Sequence, residues 1–177
     1  MKHTLSILTV SAALLAGCSG GGGSSMPDWC LNPRNSVDEI QACGVGSGPG
    51  EGYALEEARV EARNQLATTL EVNVESMSKR FFNEVGIEEN SAAYRNFTSA
   101  TRQLVDQRLR MSTQVTASVR GGDSPGRFVG YALFRVPIGD AAQDLASRIS
   151  GQEELYTRFL ESDTFQEMDE LLSGGGN

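Results

Sequence analysis

The sequence predicts an α+β fold: a small antiparallel sheet of three to four strands packed by helices, with a helical extension at the C-terminal end. Three patterns carry this. Residues 111–120 and 128–136 alternate in polarity on either side of a Gly/Pro turn; residues 53–70 and 91–109 repeat apolar side chains at helical spacing; residues 140–172 continue at helical spacing alone.

The chain starts Met1-Lys2-His3, runs through an apolar stretch from Leu5 to Leu15 and reaches Leu15-Ala16-Gly17-Cys18. A short basic start, an apolar core and small residues before a cleavage point make a secretory signal peptide over residues 1–17. The apolar run falls short of the roughly 20 residues that a bilayer-spanning helix needs. The four residues Leu15 to Cys18 around the cut resemble the bacterial lipobox, which implies that Cys18 becomes the N-terminus and carries diacylglycerol and palmitate-type acyl chains. Two or more chains give stable anchoring, at about 0.8 kcal/mol per buried methylene. Ser19 at the following position resembles lipoproteins sorted to an outer membrane. Residues 18–25 form the lipidated Cys and a flexible tether, GGGGSS from Gly20 to Ser25. Residues 173–177 form a second Gly-rich tail.

Residues 26–139 are expected to form the α+β lipoprotein domain and residues 140–172 its C-terminal helices. Met26 to Glu39, with Pro27, Trp29 and Pro33, reads as an extended lead-in with turns, anchored by Trp29. Ile40 to Ser47 reads as a short strand that enters the Gly-rich segment Gly44–Gly52. No register there gives G-x-G-x-x-G, and no Gly-Lys-Ser/Thr follows, so a flexible turn is the better reading than a phosphate cradle. Tyr53 to Leu70 is a helix with Glu56 and Glu57 in its first turn and a stripe of Ala54, Ala58, Ala62 and Leu66. From Glu71 the pattern reads as period two through Val72 and Val74 toward Phe81 and Phe82, which predicts a strand directly after the helix.

Ser91 to Leu109 is helical, with Tyr94, Phe97, Thr101, Leu104 and Arg108 along one face. The strands 111–120 and 128–136 form a hairpin through Gly121–Gly126. Val129, Tyr131 and Leu133 make the second strand apolar on both faces, for burial on both sides or for a partner. Asp140 is placed to cap a helix bearing Ala141, Leu145, Ala146 and Ile149, ended by Gly151. Glu153 to Leu172 is acidic and amphipathic, broken near Ser162-Asp163; packing on its own domain is the plainer reading and a partner-binding helix the sharper one.

Fifteen Lys and Arg, of which Lys2 goes with the leader, face twenty-three Asp and Glu, so the mature chain carries a formal charge of −9. That balance argues against nucleic acid as a partner. The only histidine, His3, leaves with the leader, which excludes Ser-His-Asp and Cys-His catalysis and removes the commonest zinc ligand. The adjacent acids Glu56–Glu57, Glu88–Glu89 and Glu153–Glu154 are read as solvated surface, since neighbours on a helix do not share a face. No catalytic, cofactor-binding or metal-ligating residues are expected. Cys30 and Cys43 enter an oxidising compartment with export, which favours a disulfide; two free buried thiols are the alternative.

With Pro27-Asp28-Trp29, Gly44-Val45-Gly46-Ser47 and the pattern Ala54, Ala58-Arg59, Ala62-Arg63, Leu66-Ala67 in view, the first two-fifths of the mature domain resembles the LPP-twenty family of bacterial lipoproteins. The resemblance implies a small helix-covered antiparallel sheet, lipid anchoring and no enzymatic activity. The chain is also similar to flagellar outer-membrane lipoproteins that build rings around the motor. The cysteine pair and acidic tail lie outside the shared pattern. The expected role is a non-enzymatic, lipid-anchored outer-membrane component, on the periplasmic side or the cell surface, whose partners are the membrane and other envelope proteins, copies of itself among them. A flagellar or other envelope ring subunit and a small-ligand-binding module with a cleft near the Gly-rich segment are the alternatives.

Overall fold

The computed structural model of the protein describes residues 26–36 and 38–172. The leader, Cys18, the 18–25 tether and the 173–177 tail lie outside the described residues. Among the described residues nine elements follow one another: α1 (Asp28–Leu31), β1 (Glu39–Gly48), α2 (Glu51–Val85), α3 (Ala92–Arg110), β2 (Thr113–Gly121), β3 (Phe128–Pro137), α4 (Ala141–Ile149), α5 (Glu153–Glu161) and α6 (Asp163–Leu172). The lead-in therefore contains one helical turn, α1, where extended chain is expected.

The sheet has three antiparallel strands in the order β1-β3-β2, which leaves β1 and β2 as its edges. The hairpin closes with Gly122 N–H donating to Arg127 C=O at 2.6 Å and with Gly126 at φ 75°. Gly44 pairs with Ala132 and Gly46 with Gly130, so these glycines belong to β1 and not to a flexible turn. The reason is the helix above them. A Cβ on Gly44 would overlap the Ala58 carbonyl and lie 2.9 Å from the Ala62 Cα, and one on Gly130 would lie 2.8 Å from the Leu55 Cα. The alanine row Ala54, Ala58 and Ala62, fully buried, lies directly on this glycine surface. Small residues on both partners bring helix and sheet backbones into contact.

Residues 71–85 continue α2 instead of forming a strand. Val72 and Val74 suggested alternation, but Val72 is exposed while Leu70, Val74, Met77 and Phe81 extend the helical stripe by three further turns. No Gly or Pro interrupts it until Gly86, which takes the left-handed conformation at φ 68° and donates its N–H to Phe82 C=O. At about 1.5 Å per residue the helix is roughly 50 Å long, well beyond the roughly 33 Å of a ten-residue strand. Its first half covers the sheet. Its second half overhangs the sheet and is buried only because other helices meet it there.

Two cores result. Ile40, Ala42, Ala62, Leu66, Leu70, Val105, Phe134 and Val136 pack between α2, α3 and the sheet. Phe81, Phe82, Phe97, Leu104, Leu145, Ile149, Leu155, Phe159 and Met168 pack where the overhang meets α3 to α6. Phe81 is the hub, with ring centroids 4.9 Å from Phe97 and 5.2 Å from Phe159. The acidic tail thus packs on its own domain. The break at Ser162 is built: its hydroxyl donates to Phe159 C=O and accepts from Phe165 N–H, while the Glu84 carboxylate accepts from the N–H groups of Asp163 and Thr164 at 2.6 and 3.3 Å. A carboxylate from α2 thereby caps the positive end of α6.

Candidate interaction surface

β3 is covered on both faces. Ala132, Phe134 and Val136 face α2, whereas Tyr131 and Leu133 face the other way, into a small cluster with Cys30, Cys43, Met26, Trp29 and Val129. Cys30 and Cys43 are joined by a disulfide with a Cα separation of 5.1 Å. The bridge fastens α1 to the outer face of the sheet, where the chain enters the domain. The loop it closes is held further by Gln41 N–H donating to Asn35 Oδ1 at 2.7 Å and Ser36 N–H donating to Glu39 C=O at 3.0 Å. By the chain-entropy relation, a loop of this size contributes about 3 kcal/mol. Replacing both cysteines with serine is therefore expected to lower stability by about 2–4 kcal/mol in urea unfolding, and the parent treated with reductant should match the variant.

The two sheet edges differ towards their ends, whereas mid-strand the outward backbone groups of Cys43 and Val45 on β1 also have no partner among the described residues. On β1, Glu39 C=O, Gln41 N–H and Ser47 N–H all point away from β3, and each has a partner: Ser36, Asn35 and the Glu57 carboxylate, the last at 2.7 Å. On β2, Gly121 C=O accepts from the Arg120 side chain, and no other outward-facing backbone group has a partner among the described residues. The strand carries a bulge at Val115, between Gln114 and Thr116, so the single-face alternation expected for residues 111–119 is broken there; Val115 and Met111 are exposed.

Between α2 and α3 lies an open groove of about 540 Å³ lined by Glu71, Glu75, Lys79, Tyr94, Arg102 and Asp106 with Val74, Phe82 and Val105 at its base. Lys79 donates to Glu75 at 2.6 Å; this hydrogen bond holds the Glu75 carboxyl below its ordinary value and the Lys79 ammonium above its own. Both are fully exposed, so the pair shapes the rim more than it stabilises the fold. α2 packs directly onto the Gly-rich strand at Gly44 and Gly46, where the small-ligand reading expects a cleft.

The most buried charge is Arg108, 2% exposed, on α3. Its guanidinium donates to Asp140 and, at 3.1 Å, to Asp144 on α4. Arg148 donates through Nη2 to Gln107 and, at 3.4 Å, to Asp144, whose other carboxylate oxygen lies 3.2 Å from Arg148 Nε. Asp140 precedes α4 but caps it only through its backbone, since its carboxylate is turned to Arg108. That contact holds the Asp140 carboxyl below the usual aspartate range.

The members of the adjacent acid pairs have separate surroundings. Glu56 pairs with Arg59 at 3.2 Å, Glu57 caps the β1 edge, Glu154 pairs with Arg158 at 2.7 Å, and Glu88, Glu89 and Glu153 are exposed. Among the described residues no group of three or more His, Cys, Asp or Glu is placed to hold a metal ion, and no helix is long and apolar enough to cross a membrane. No protein-family model, curated protein or solved structure matches the chain. Glu57, Glu84 and Arg108 are the structural polar residues that pattern reading undervalues; each sits on a helix at ordinary spacing, and its partner lies far away in sequence.

Proposed function

We propose that the protein is a lipid-anchored outer-membrane lipoprotein, a non-enzymatic interaction or structural component of the bacterial envelope. The observation that carries this reading is the coincidence of a basic start, a short apolar run and Leu15-Ala16-Gly17-Cys18, followed at once by a Gly/Ser tether. The described structure agrees with such a role in one respect: Met26 and Trp29, the first described residues after the tether, pack on the sheet beside a disulfide, and disulfides belong to oxidising compartments. At about 3.5 Å per extended residue, the ten residues from Ser19 to Asp28 hold the domain within roughly 35 Å of the lipid. The absence of histidine from the mature chain and the separate engagement of its acid pairs support a binding role over catalysis.

Two other readings stand beside it. A subunit of a flagellar or other envelope ring would share the anchor and the fold, and a deletion strain with normal motors and normal swimming would remove it. A small-ligand module would use the groove between α2 and α3; native mass spectrometry showing only bare protein would count against it. The main proposal is tested by cell fractionation with labelled palmitate. The parent is expected in the membrane fraction with label, and Cys18→Ser in the soluble fraction without it; a Cys18→Ser variant that stays with membranes would remove the proposal.

A further inference from the structure

The lead-in is attached to the domain by very little. Among the described residues, no hydrogen bond or ion pair joins residues 26–33 to the sheet or to the longer helices; the N–H groups of Cys30, Leu31 and Asn32 donate to Pro27 and Asp28 within the same turn. Polar attachment begins at Arg34, whose N–H donates to Gln41 Oε1 at 3.2 Å, and at Asn35, whose side chain accepts from Gln41 N–H. What holds the strap formed by residues 26–33 is the Cys30–Cys43 bond and the contact of Met26 and Trp29 with Val129, Tyr131 and Leu133. A four-residue helix such as α1 has no stability of its own, since nucleating one turn costs more than that turn returns.

The domain beneath does not depend on the strap. Neither of the two larger cores includes a residue of 26–36. Tyr131 is also held from the β2 side: its hydroxyl accepts from Arg120 Nε at 2.9 Å, and the guanidinium lies 5.6 Å from its ring centroid.

We propose that Cys30–Cys43 is a redox latch on this strap. An oxidising compartment closes the bond, and residues 26–33 then cover Tyr131 and Leu133, which are 3% and 4% exposed. A dithiol reductant opens it by exchange. Its thiolate attacks one sulfur and displaces the other, and its second thiol resolves the mixed disulfide; the two electrons and two protons it gives up leave Cys30 and Cys43 as thiols and the reductant as a disulfide. Asp28, Leu31 and Asn32 around Cys30 are exposed, so opening this one turn admits the reductant. Ordering the eight residues 26–33 costs backbone entropy at each position, and without the bond only Met26, Trp29 and Cys30 offset it by burial. The strap then comes away as far as Arg34 and bares the strip it covered. With the lipid anchor of the proposed function, the free chain grows from the ten residues Ser19–Asp28 to the fifteen residues Ser19–Pro33, and the limit on the domain's distance from the lipid rises from roughly 35 Å to roughly 50 Å. That consequence rests on lipidation of Cys18, whereas the latch itself does not.

The purified Cys18→Ser protein separates the two, because it carries no lipid and no third thiol. Trp29 is the chain's only tryptophan and reports on the strap alone. On addition of dithiothreitol, a dithiol, its emission is expected to move to that of a water-exposed indole, and the amides of Cys30, Leu31 and Asn32 to exchange at least about tenfold faster, while those of β3 and the first half of α2 keep their protection. Cys30→Ser combined with Cys43→Ser should show the released spectrum without reductant. Unchanged Trp29 emission and Cys30–Asn32 exchange after reduction would overturn the proposal, because the strap would then stay docked without its bond. So would loss of protection across β3 and α2 together with the strap, which would make the bond a brace of the whole domain, or a bond that dithiothreitol leaves intact while the domain is folded. Should the double variant fail to fold, reduction of the Cys18→Ser protein decides alone.

Discussion

A single methyl group at position 44 is expected to destabilise the protein by about 3 kcal/mol or more. Overpacked cores recover when a flexible side chain can swing aside, but the atoms that a Gly44→Ala methyl would meet are the α2 backbone at Ala58 and Ala62. Backbone in the middle of a 35-residue helix cannot yield locally. The whole helix would have to lift from the sheet, and the alanine row would lose its contact with Gly44, Gly46 and Gly130 together. Set against a total stability of about 5–15 kcal/mol for a typical domain, that loss leaves a marginal fold. Gly52→Ala provides the contrast. Nothing lies within 4 Å of a Cβ there, and the residue sits inside the first turn of α2, so helix propensity favours alanine by about 0.5–1 kcal/mol. Urea unfolding of the two variants, which should move in opposite directions, separates close packing from a general intolerance of substitution in this segment.

The second large effect concerns Arg108. Replacing Asp140 and Asp144 together with alanine is expected to cost about 3–5 kcal/mol, because it leaves a buried guanidinium without a carboxylate. Most of this belongs to Asp144, whose side chain is 22% exposed; that of Asp140 is 77% exposed, so water screens its contribution, and Asp140→Asn alone should cost less than about 1 kcal/mol. Arg108→Met should be milder than the double change, since it removes the buried charge itself and leaves two carboxylates that solvent, or Arg148, can still serve. The acid limb of stability follows from the same contact. Asp140 is depressed in the folded state, so its contribution is complete above the unfolded value of about 3.9 and disappears as pH falls through the lower folded value. The parent and Asp140→Asn should differ at pH 6 and converge in the most acidic range.

Local signals were enough for much of this fold. α3 was legible from Ser91 and the stripe that follows, the hairpin from two alternating runs around Gly121–Gly126, and the α5–α6 break from Ser162-Asp163. What misled was non-local. Gly44 and Gly46 look like loop residues until a helix is laid across them, and the alanine row that does so becomes meaningful only once the helix docks. Val72 and Val74 mimic a strand over four residues, whereas Phe81 and Phe82, which keep the segment helical, find their partners at Phe97 and Phe159. Arg108 was legible as a member of a buried face but not as a charge in need of carboxylates, which come from residues 32 and 36 positions later. The candidate surfaces divide the same way. The proposed lipid anchor is read wholly from consecutive residues, while the capping of the β1 edge at Gln41 and Ser47 exists only after Asn35 and Glu57 have been brought to the sheet.

Intact-mass analysis of the protein purified from bacterial membranes bears most directly on the account. It should show a chain starting at Cys18, heavier than the polypeptide by a diacylglyceryl group and an N-linked acyl chain, with the Cys30–Cys43 pair two hydrogen atoms lighter than two free thiols. A mass matching an unmodified polypeptide, whether it starts at Met1 or at a residue other than Cys18, would contradict it.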